Sequence, residues 1–517
     1  MTSSTLPLTP TTSVVGVGEN AETWPWTTDR RVEHPDAQLG FDPAETITAR
    51  DRVRSGDYPE WLDHVSAAAA CTRPIRLSGS IDVKNPDGTL MHTIDTDSMP
   101  DGVIYTPCGN RRASVCPSCA EVYRRDTYQI IRAGLKGGRY GLPPLGQHLA
   151  VFLTATAPSF GPVHHRVVKT HAADCRSKDR CTCRAQVCRP FGKPCDHGRE
   201  MRCTSRHTAS DPLLGTPLCL DCYDHRHQVV WNLQATELWR RTIQEFDREL
   251  ERLGKRLGVD LRRRYLKVYE FQARGVIHYH AIIRLDGYHP DCPGAIVPPD
   301  RIVTRGMFAS VLETAFGKTR YATAGHPANN GHGWEMAWGA QGLDIVHINA
   351  DGDDANLTKL SGYLAKYVTK STEATGAIFR RLDDMSIELY AAPDTHTGRL
   401  IQACWDLGTA DGWHRLRRYA HQYGVGGHIT TKSRGFSVTY TYKRWERTIW
   451  RRTQGFPHLW DDQQADLVVY RLGYHATGWI TTGDALLANS AADAARRRAQ
   501  AARDYADDQP SALPTAA

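Results

Sequence analysis

The sequence predicts an α+β protein, an antiparallel sheet with flanking helices, joined to Cys-rich zinc-binding modules. Three observations carry this. Two strand-like runs, Tyr265–Gln272 (YLKVYEFQ) and Val276–Leu285 (VIHYHAIIRL), flank the three residues Ala273-Arg274-Gly275. Leu233, Leu238, Ile243, Phe246 and Leu250 recur at helical spacing within Val229–Leu257. Residues 164–227 hold eight cysteines and seven histidines with few long apolar runs, a composition that suits a metal-stapled insertion rather than an ordinary core.

The chain has 517 residues, 64 Lys+Arg against 57 Asp+Glu, and a formal net charge of +7. At roughly 100–200 residues per domain, two to four domains are expected. No run of about 18 apolar residues occurs, which excludes a membrane-spanning helix. Met1–Asn20 carries no basic stretch followed by an apolar one, so no export signal is expected. The 14 cysteines are therefore read as thiols of a reducing, cytoplasmic protein, where clustered cysteines more often hold metal than form disulfides.

Along the chain, residues 1–45 lack periodicity and read as a flexible N-terminus. Residues 46–145 carry Cys71, Cys108, Cys116 and Cys119 and read as a zinc-binding module. A central domain is read over 146–400, interrupted by the Cys/His-rich insertion at about 164–227. It starts with a buried strand, Leu149–Thr156 (LAVFLTAT), closed by Ala157-Pro158. Met307–Phe316 predicts a helix and Leu343–Asn349 a strand. Asn356 predicts the N-cap of a helix running Leu357–Lys370 (LTKLSGYLAKYVTK). Residues 401–480 read as a basic, aromatic DNA-contacting region. Residues 481–517 read as an Ala/Arg-rich solvated helix over Ala485–Ala506 and a loose tail.

His278 and His280 alternate within an apolar strand, so both imidazoles face one side, about 7 Å apart along the chain. If the loop is the three residues 273–275, Gln272 pairs with Val276 and Glu270 lies opposite His278. Paired residues share a face, so Glu270 completes a two-His, one-carboxylate set, with Gln272 in reserve. Nitrogen and oxygen donors without thiolate suit Mg²⁺ or Mn²⁺. Tyr363 and Tyr367 lie four residues apart on the expected helix and share a face, with Lys366 and Lys370 on the neighbouring one. A phenol is a poor nucleophile at neutral pH. A divalent metal that polarises a phosphodiester makes it competent, and Lys366 is placed to steady phosphate charge.

Cys71, Cys108, Cys116 and Cys119 are candidate ligands of a closed four-thiolate Zn²⁺ site. A second set is Cys203, Cys219 and Cys222, with Cys195, His197 or His207 as fourth ligand. Cys175, Cys181, Cys183 and Cys188 are a candidate third. Cys292 and Cys404 read as isolated, buried small residues. In residues 429–454, Lys432, Arg434, Lys443, Arg444, Arg447, Arg451 and Arg452 stand against one acid, Glu446, interleaved with Phe436, Tyr440, Tyr442, Trp445 and Trp450. Cations for phosphates and aromatic faces for unpaired bases suit single-stranded DNA. Arg111, Arg112 and Arg124 are candidates for duplex contacts.

VFLTAT (Val151–Thr156), EFQARGVIHYHAIIRLDG (Glu270–Gly287) and GYLAKYVTK (Gly362–Lys370) stand in the order of the three motifs of HUH endonucleases. The text resembles most the RepSA-type initiators of actinobacterial plasmids and integrative elements. Supporting runs are CGNRRASVCPSC (Cys108–Cys119), GTPLCLDCYDH (Gly215–His225) and GHITTKSRGFSVTY (Gly427–Tyr440), so the resemblance covers about residues 70–455. It implies an HUH-type sheet for 146–400 and rolling-circle initiation at a single-stranded or hairpin nick site. A tyrosine would attack the strand, leaving a 5′-phosphotyrosine link and a free 3′-OH for the host polymerase, with a host helicase as a further partner. YLAKY resembles the two-tyrosine arrangement of phage A-protein nucleases. A relaxase or single-strand transposase shares this chemistry; relaxases usually add a third histidine, and position 282 is Ile282. A zinc-stabilised DNA-binding regulator without catalysis is the alternative of another class.

Overall fold

A computed structural model of the chain describes residues 43–85, 87–171, 175, 182–348, 354–369, 380–455 and 467–507. They fall into two compact units. One joins residues up to Asp126 with those from Thr439 onward; the other is Thr127–Val438.

The first unit opens with helices α1 (Pro43–Arg54) and α2 (Tyr58–Val65) and strands β1 (Ile75–Lys84), β2 (Leu90–Asp95) and β3 (Ile104–Thr106); helix α3 (Pro117–Lys136) then carries the chain from the first unit into the second. The second contains β4 (Leu149–Ala155), α4 (His225–Leu257), β5 (Arg262–Phe271), β6 (Ile277–Asp286) and α5 (Arg305–Lys318). It continues through β7 (Arg320–Ala322), β8 (Glu335–Ala337), β9 (Leu343–Ile348), α6 (Asp354–Tyr367), α7 (Ile387–Tyr390), α8 (His396–Leu407), α9 (Arg415–Arg418) and β10 (Thr430–Lys432). The chain returns to the first unit with α10 (Tyr440–Gly455), β11 (Leu467–Thr477) and α11 (Thr482–Asp507).

In the first unit β1 pairs antiparallel with β11 from Ile75↔Thr477 to Lys84↔Leu467, and with β2 and β3 on its other side. Trp61, Val65, Val103, Tyr105 and Ala488 form one buried cluster. Ala488 belongs to the Ala/Arg-rich segment expected to be solvated; one face of α11 is in fact core. Gly483 makes the approach possible, since a Cβ there would stand 2.1 Å from the Ala49 backbone nitrogen. Arg52 on α1 donates at 2.8 Å to both Asp484 and Asp101. Trp61 Nε1 and Tyr105 OH also donate to Asp101, at 2.8 and 2.9 Å. The buried carboxylate thus has a partner on every side.

The second unit is built on a five-stranded sheet, order β10-β5-β6-β4-β9, with every neighbouring pair antiparallel. β6 is its middle strand, and His278 is its only residue not fully buried. Period two sends Tyr279, Ala281 and Ile283 to one face, where Trp239 of α4 meets Tyr279 at a ring separation of 5.5 Å. His278, His280 and Ile282 take the other face. α4 begins at His225, one turn before the apolar stripe, because the Asp224 side chain caps His227 N at 2.8 Å. α6 begins at Asp354, so Asn356 lies inside its first turn rather than at its cap, and it ends at Tyr367. Asn349 and Lys370, the expected ends of the β9 strand and the tyrosine helix, lie outside the described residues. No described helix is long and apolar enough to cross a membrane.

Candidate active site and metal-ligand clusters

The β5–β6 hairpin fixes the site. Gln272 N donates to Val276 O at 2.8 Å and Gly275 N to Gln272 O at 2.8 Å, so the loop is residues 273–275. Gly275 takes φ +75°, a conformation open to glycine at little cost. This register pairs Glu270 with His278 and Val268 with His280. Glu270 Oε2 lies 3.2 Å from His278 Nε2 and 3.6 Å from His280 Nε2. The two imidazole centroids are 4.5 Å apart. The donors of Glu270, His278 and His280 all lie within 4.8 Å of one another, an arrangement able to hold a metal ion.

Each imidazole is also held from behind. Thr154, opposite His280 on β4, places Oγ1 3.2 Å from His280 Nδ1. Gln272 places Nε2 3.3 Å from His278 Nδ1, so the reserve ligand sits at the outer edge of the ring instead. Phe152 stacks on His280 at 5.5 Å. Thr154 and Phe152 escaped the sequence reading. Their signal is the alternation of VFLTAT, which acquires meaning only once β4 is known to pair with β6.

The tyrosine helix reaches the same face. The Tyr363 and Tyr367 rings lie 5.7 and 5.5 Å from the His280 ring and 4.8 Å from each other. Tyr363 is half-buried, Tyr367 is 9% exposed, and Lys366 between them is exposed. Glu270 and His278 keep some solvent exposure, so the centre is open on one side. Below the opposite face, burial pushes the Lys267 ammonium down to about 7, with Nζ 4.1 Å from the Tyr279 ring centroid.

Four sulfurs meet in the first unit. Cys108–Cys119, Cys71–Cys116 and Cys71–Cys119 Sγ separations are 3.7, 3.8 and 3.8 Å, far beyond a disulfide. Cys108 N and Asn110 N donate to the Cys71 and Cys108 sulfurs at 3.3 and 3.4 Å. Trp479 Nε1 donates to Cys71 O at 3.0 Å. Hydrogen bonds from Cys119 and Cys71 pull the Cys116 thiol well below its usual range.

The other cysteines group differently from the sequence expectation. Cys203 and His207 do not join Cys219 and Cys222; they gather with His164 and Cys188. Cys219 and Cys222 gather with Cys195 and His197. An antiparallel bridge between Arg189 and Cys203, with N–H···O distances of 2.8 and 2.7 Å, sets Cys188 beside Cys203 across 15 residues of chain. Cys175 and Cys183 meet His171 instead of Cys188, and Cys181 lies outside the described residues. Cys404 is buried as expected, whereas Cys292 is exposed.

The basic run at 429–454 is divided between the two units. Lys432 points inward, donating to Ser437 O at 2.6 Å, and burial pushes it down to about 8. Lys443 is buried and pairs with Glu446, and Arg447 pairs through both Nη atoms with Asp126. Lys432 and Lys443 are thus largely turned from solvent, whereas Arg447 keeps about a third of its side chain exposed. Arg434, Arg444, Tyr442 and Trp445 are exposed. Arg124 pairs with Glu121 at 2.6 Å.

The family model described as RepSA, replication initiator protein, pSAM2, matches residues 57–493. A replication initiator protein from Streptomyces ambofaciens is 35% identical over 471 residues, covering 89% of this chain and 95% of that protein. No solved structure matches the chain.

Proposed function

The chain belongs to the RepSA family of replication initiators, and from that premise we propose that it initiates replication by cutting one DNA strand with a tyrosine of α6, as HUH endonucleases do. The observation that carries this is the meeting of Tyr363 and Tyr367 with His280, whose neighbours His278 and Glu270 complete a ligand set. The imidazole and carboxylate donors fit Mg²⁺ or Mn²⁺. Adjacent ligands of an octahedral ion at 2.0–2.1 Å stand roughly 3 Å apart, close to the 3.2 Å between His278 and Glu270. When bound, such an ion supplies polarisation of the scissile phosphate.

The chain's own groups do the rest. Thr154 and Gln272 orient the two imidazoles, a service that ligating histidines generally require. A tyrosine oxygen attacks phosphorus and gives up its proton. The P–O3′ bond breaks, and the departing O3′ takes up a proton to become the 3′-OH that a host polymerase extends. The 5′-phosphate stays on the tyrosine. Lys366, exposed between the two phenols in sequence, would steady the phosphate charge. When the replicated strand returns, the second tyrosine attacks the regenerated site; the 3′-OH it liberates attacks the first phosphotyrosine, joining the displaced strand and returning the first tyrosine to its phenol.

Zn²⁺ fits Cys71, Cys108, Cys116 and Cys119. A tetrahedron with Zn–S near 2.3 Å has edges of about 3.8 Å, against separations of 3.7–3.8 Å here. Exposed Arg434, Arg444, Tyr442 and Trp445 supply cations and stacking faces for DNA, and the reaction takes place in the cytoplasm, with a helicase opening the duplex ahead.

The test is a covalent adduct. The full chain is incubated with Mn²⁺ and single-stranded fragments tiled across the origin of the replicon that encodes it. A protein–DNA band that survives denaturant is expected. Tyr363→Phe combined with Tyr367→Phe should abolish it. An adduct at the wild-type level in that variant would remove the nucleophile assignment, and no adduct with any fragment would favour a non-catalytic DNA-binding protein.

A further inference from the structure

The insertion between the first two motifs carries metal chemistry of its own, independent of strand cutting. Among its described residues from 156 to 224 there is no helix or strand, only the isolated bridges Val163–Pro217 and Arg189–Cys203. Most of the polypeptide over 190–206 is exposed. A segment with so little core and so little regular hydrogen bonding needs another source of order. Two ligand sets stand where that source belongs: His164, Cys188, Cys203 and His207, and Cys195, His197, Cys219 and Cys222.

We propose that this insertion is a two-zinc module whose two ligand sets are interleaved along the chain. Taken in order, His164 and Cys188 serve the first ion, Cys195 and His197 the second, Cys203 and His207 the first again, and Cys219 and Cys222 the second again. Neither set closes without the chain passing through the other.

The distances fit tetrahedral zinc. With Zn–N near 2.05 Å and Zn–S near 2.3 Å, tetrahedral N–N and N–S edges are about 3.3 and 3.5 Å. His164 Nδ1 lies 3.3 Å from His207 Nε2, and Cys203 Sγ lies 3.5 Å from the same nitrogen. In the other set His197 Nδ1 stands 3.2 and 3.9 Å from the Cys222 and Cys219 sulfurs, an average near the same N–S edge. The outer shell is also in place. Asp211 Oδ2 sits 2.7 Å from His207 Nδ1, the carboxylate–histidine pairing that fixes a ligating Nε2. His165 N donates to Cys188 Sγ at 3.3 Å. Four protein ligands per ion, thiolate among them, describe closed structural sites that select zinc over magnesium. The module reaches the catalytic hairpin through Gly215, where a Cβ would come within 2.4 Å of the Ala273 backbone.

The experiment uses full-length protein, zinc counted by native mass spectrometry, and cysteine alkylation rates by N-ethylmaleimide, with exposed Cys292 as the free-thiol reference. Wild type should hold at least three zinc ions, and Cys188, Cys195, Cys203, Cys219 and Cys222 should alkylate at least tenfold more slowly than Cys292 until a chelator is added. Cys203→Ala with His207→Ala should lose one ion while Cys195 and Cys222 stay slow. Cys219→Ala with Cys222→Ala should lose one ion and free Cys195 at least tenfold, while Cys188 and Cys203 stay slow. Release of Cys195 and Cys222 by the first variant would overturn the partition. Fewer than two ions in wild type, or alkylation of those five cysteines at the rate of Cys292, would overturn the module, and this arm stands even if the variants fail to fold.

Discussion

The chain gathers candidate ligands in two contrasting ways. In the second unit, His278, His280 and Glu270 sit on adjacent strands, so the hairpin ladder itself sets their spacing. In the first unit, Cys71, Cys108, Cys116 and Cys119 come from a connection, a strand end and the start of a helix, and no ladder joins them. The first set is pre-ordered by its scaffold, is made of nitrogen and oxygen, and faces solvent on one side. The second is all sulfur, closed and mostly buried. An ion in the first is therefore expected to be exchangeable and used in chemistry; an ion in the second is expected to hold the fold.

The sharpest way to break this contrast is at the sulfur site. Structural zinc contributes apparent binding energy of roughly 10 kcal/mol or more to folding. Cys116→Ser should therefore lose one zinc and open the segment from Pro43 to Asp126 to limited proteolysis. Unchanged protease resistance would show that the hydrophobic cluster around Trp61 suffices. Next in size is His280→Ala. It should cut metal-dependent cleavage by about 10³-fold, the several kcal/mol that a metal supplies to transition-state charge, with little change in melting temperature; a large drop in Tm would make the ligand set structural after all. Brief EDTA treatment should separate the two sites in one sample, abolishing cleavage reversibly with Mn²⁺ while zinc stays bound.

A subtler change is Thr154→Val, which keeps the shape and removes the hydroxyl behind His280. About 10–100-fold weaker Mn²⁺ activation of cleavage is expected, read as a rightward shift of the metal titration. The smallest effect concerns the sheet's other face. Burial lowers Lys267 from its ordinary 10.5 to about 7. The unfolded chain therefore binds more protons between pH 7 and 10.5, so this residue makes stability rise with pH across that window. Below pH 7 its penalty is constant. Lys267→Met should raise stability at pH 7 and flatten that slope, measured by denaturant melts at several pH values.

The sequence was most informative where structure is local. The three-residue loop, the pairing of Glu270 with His278 and the shared face of Tyr363 and Tyr367 all follow from periods of 2 and 3.6 applied over a few residues. The partners of Cys203 were not legible, because a bridge to Arg189 rather than sequence proximity to Cys219 decides them. The pairing of Arg447 with Asp126 was not legible either, because Asp126 lies 321 residues away. α11 read as solvated because its Ala-rich face is indistinguishable from a surface stripe until Trp61 is placed beneath it. Charge and cysteine patterns announce chemistry, but their pairing is a long-range property.

The pairing of β1 with β11 has a consequence for biosynthesis. Strand Ile75–Lys84 leaves the ribosome several hundred residues before Leu467–Thr477, its partner. At 5–20 residues per second that is a delay on the order of tens of seconds. The Thr127–Val438 unit can complete its sheet in that time, while the other waits with an unsatisfied strand edge. A message that ends early would thus release the Thr127–Val438 unit without the other unit's sheet closed.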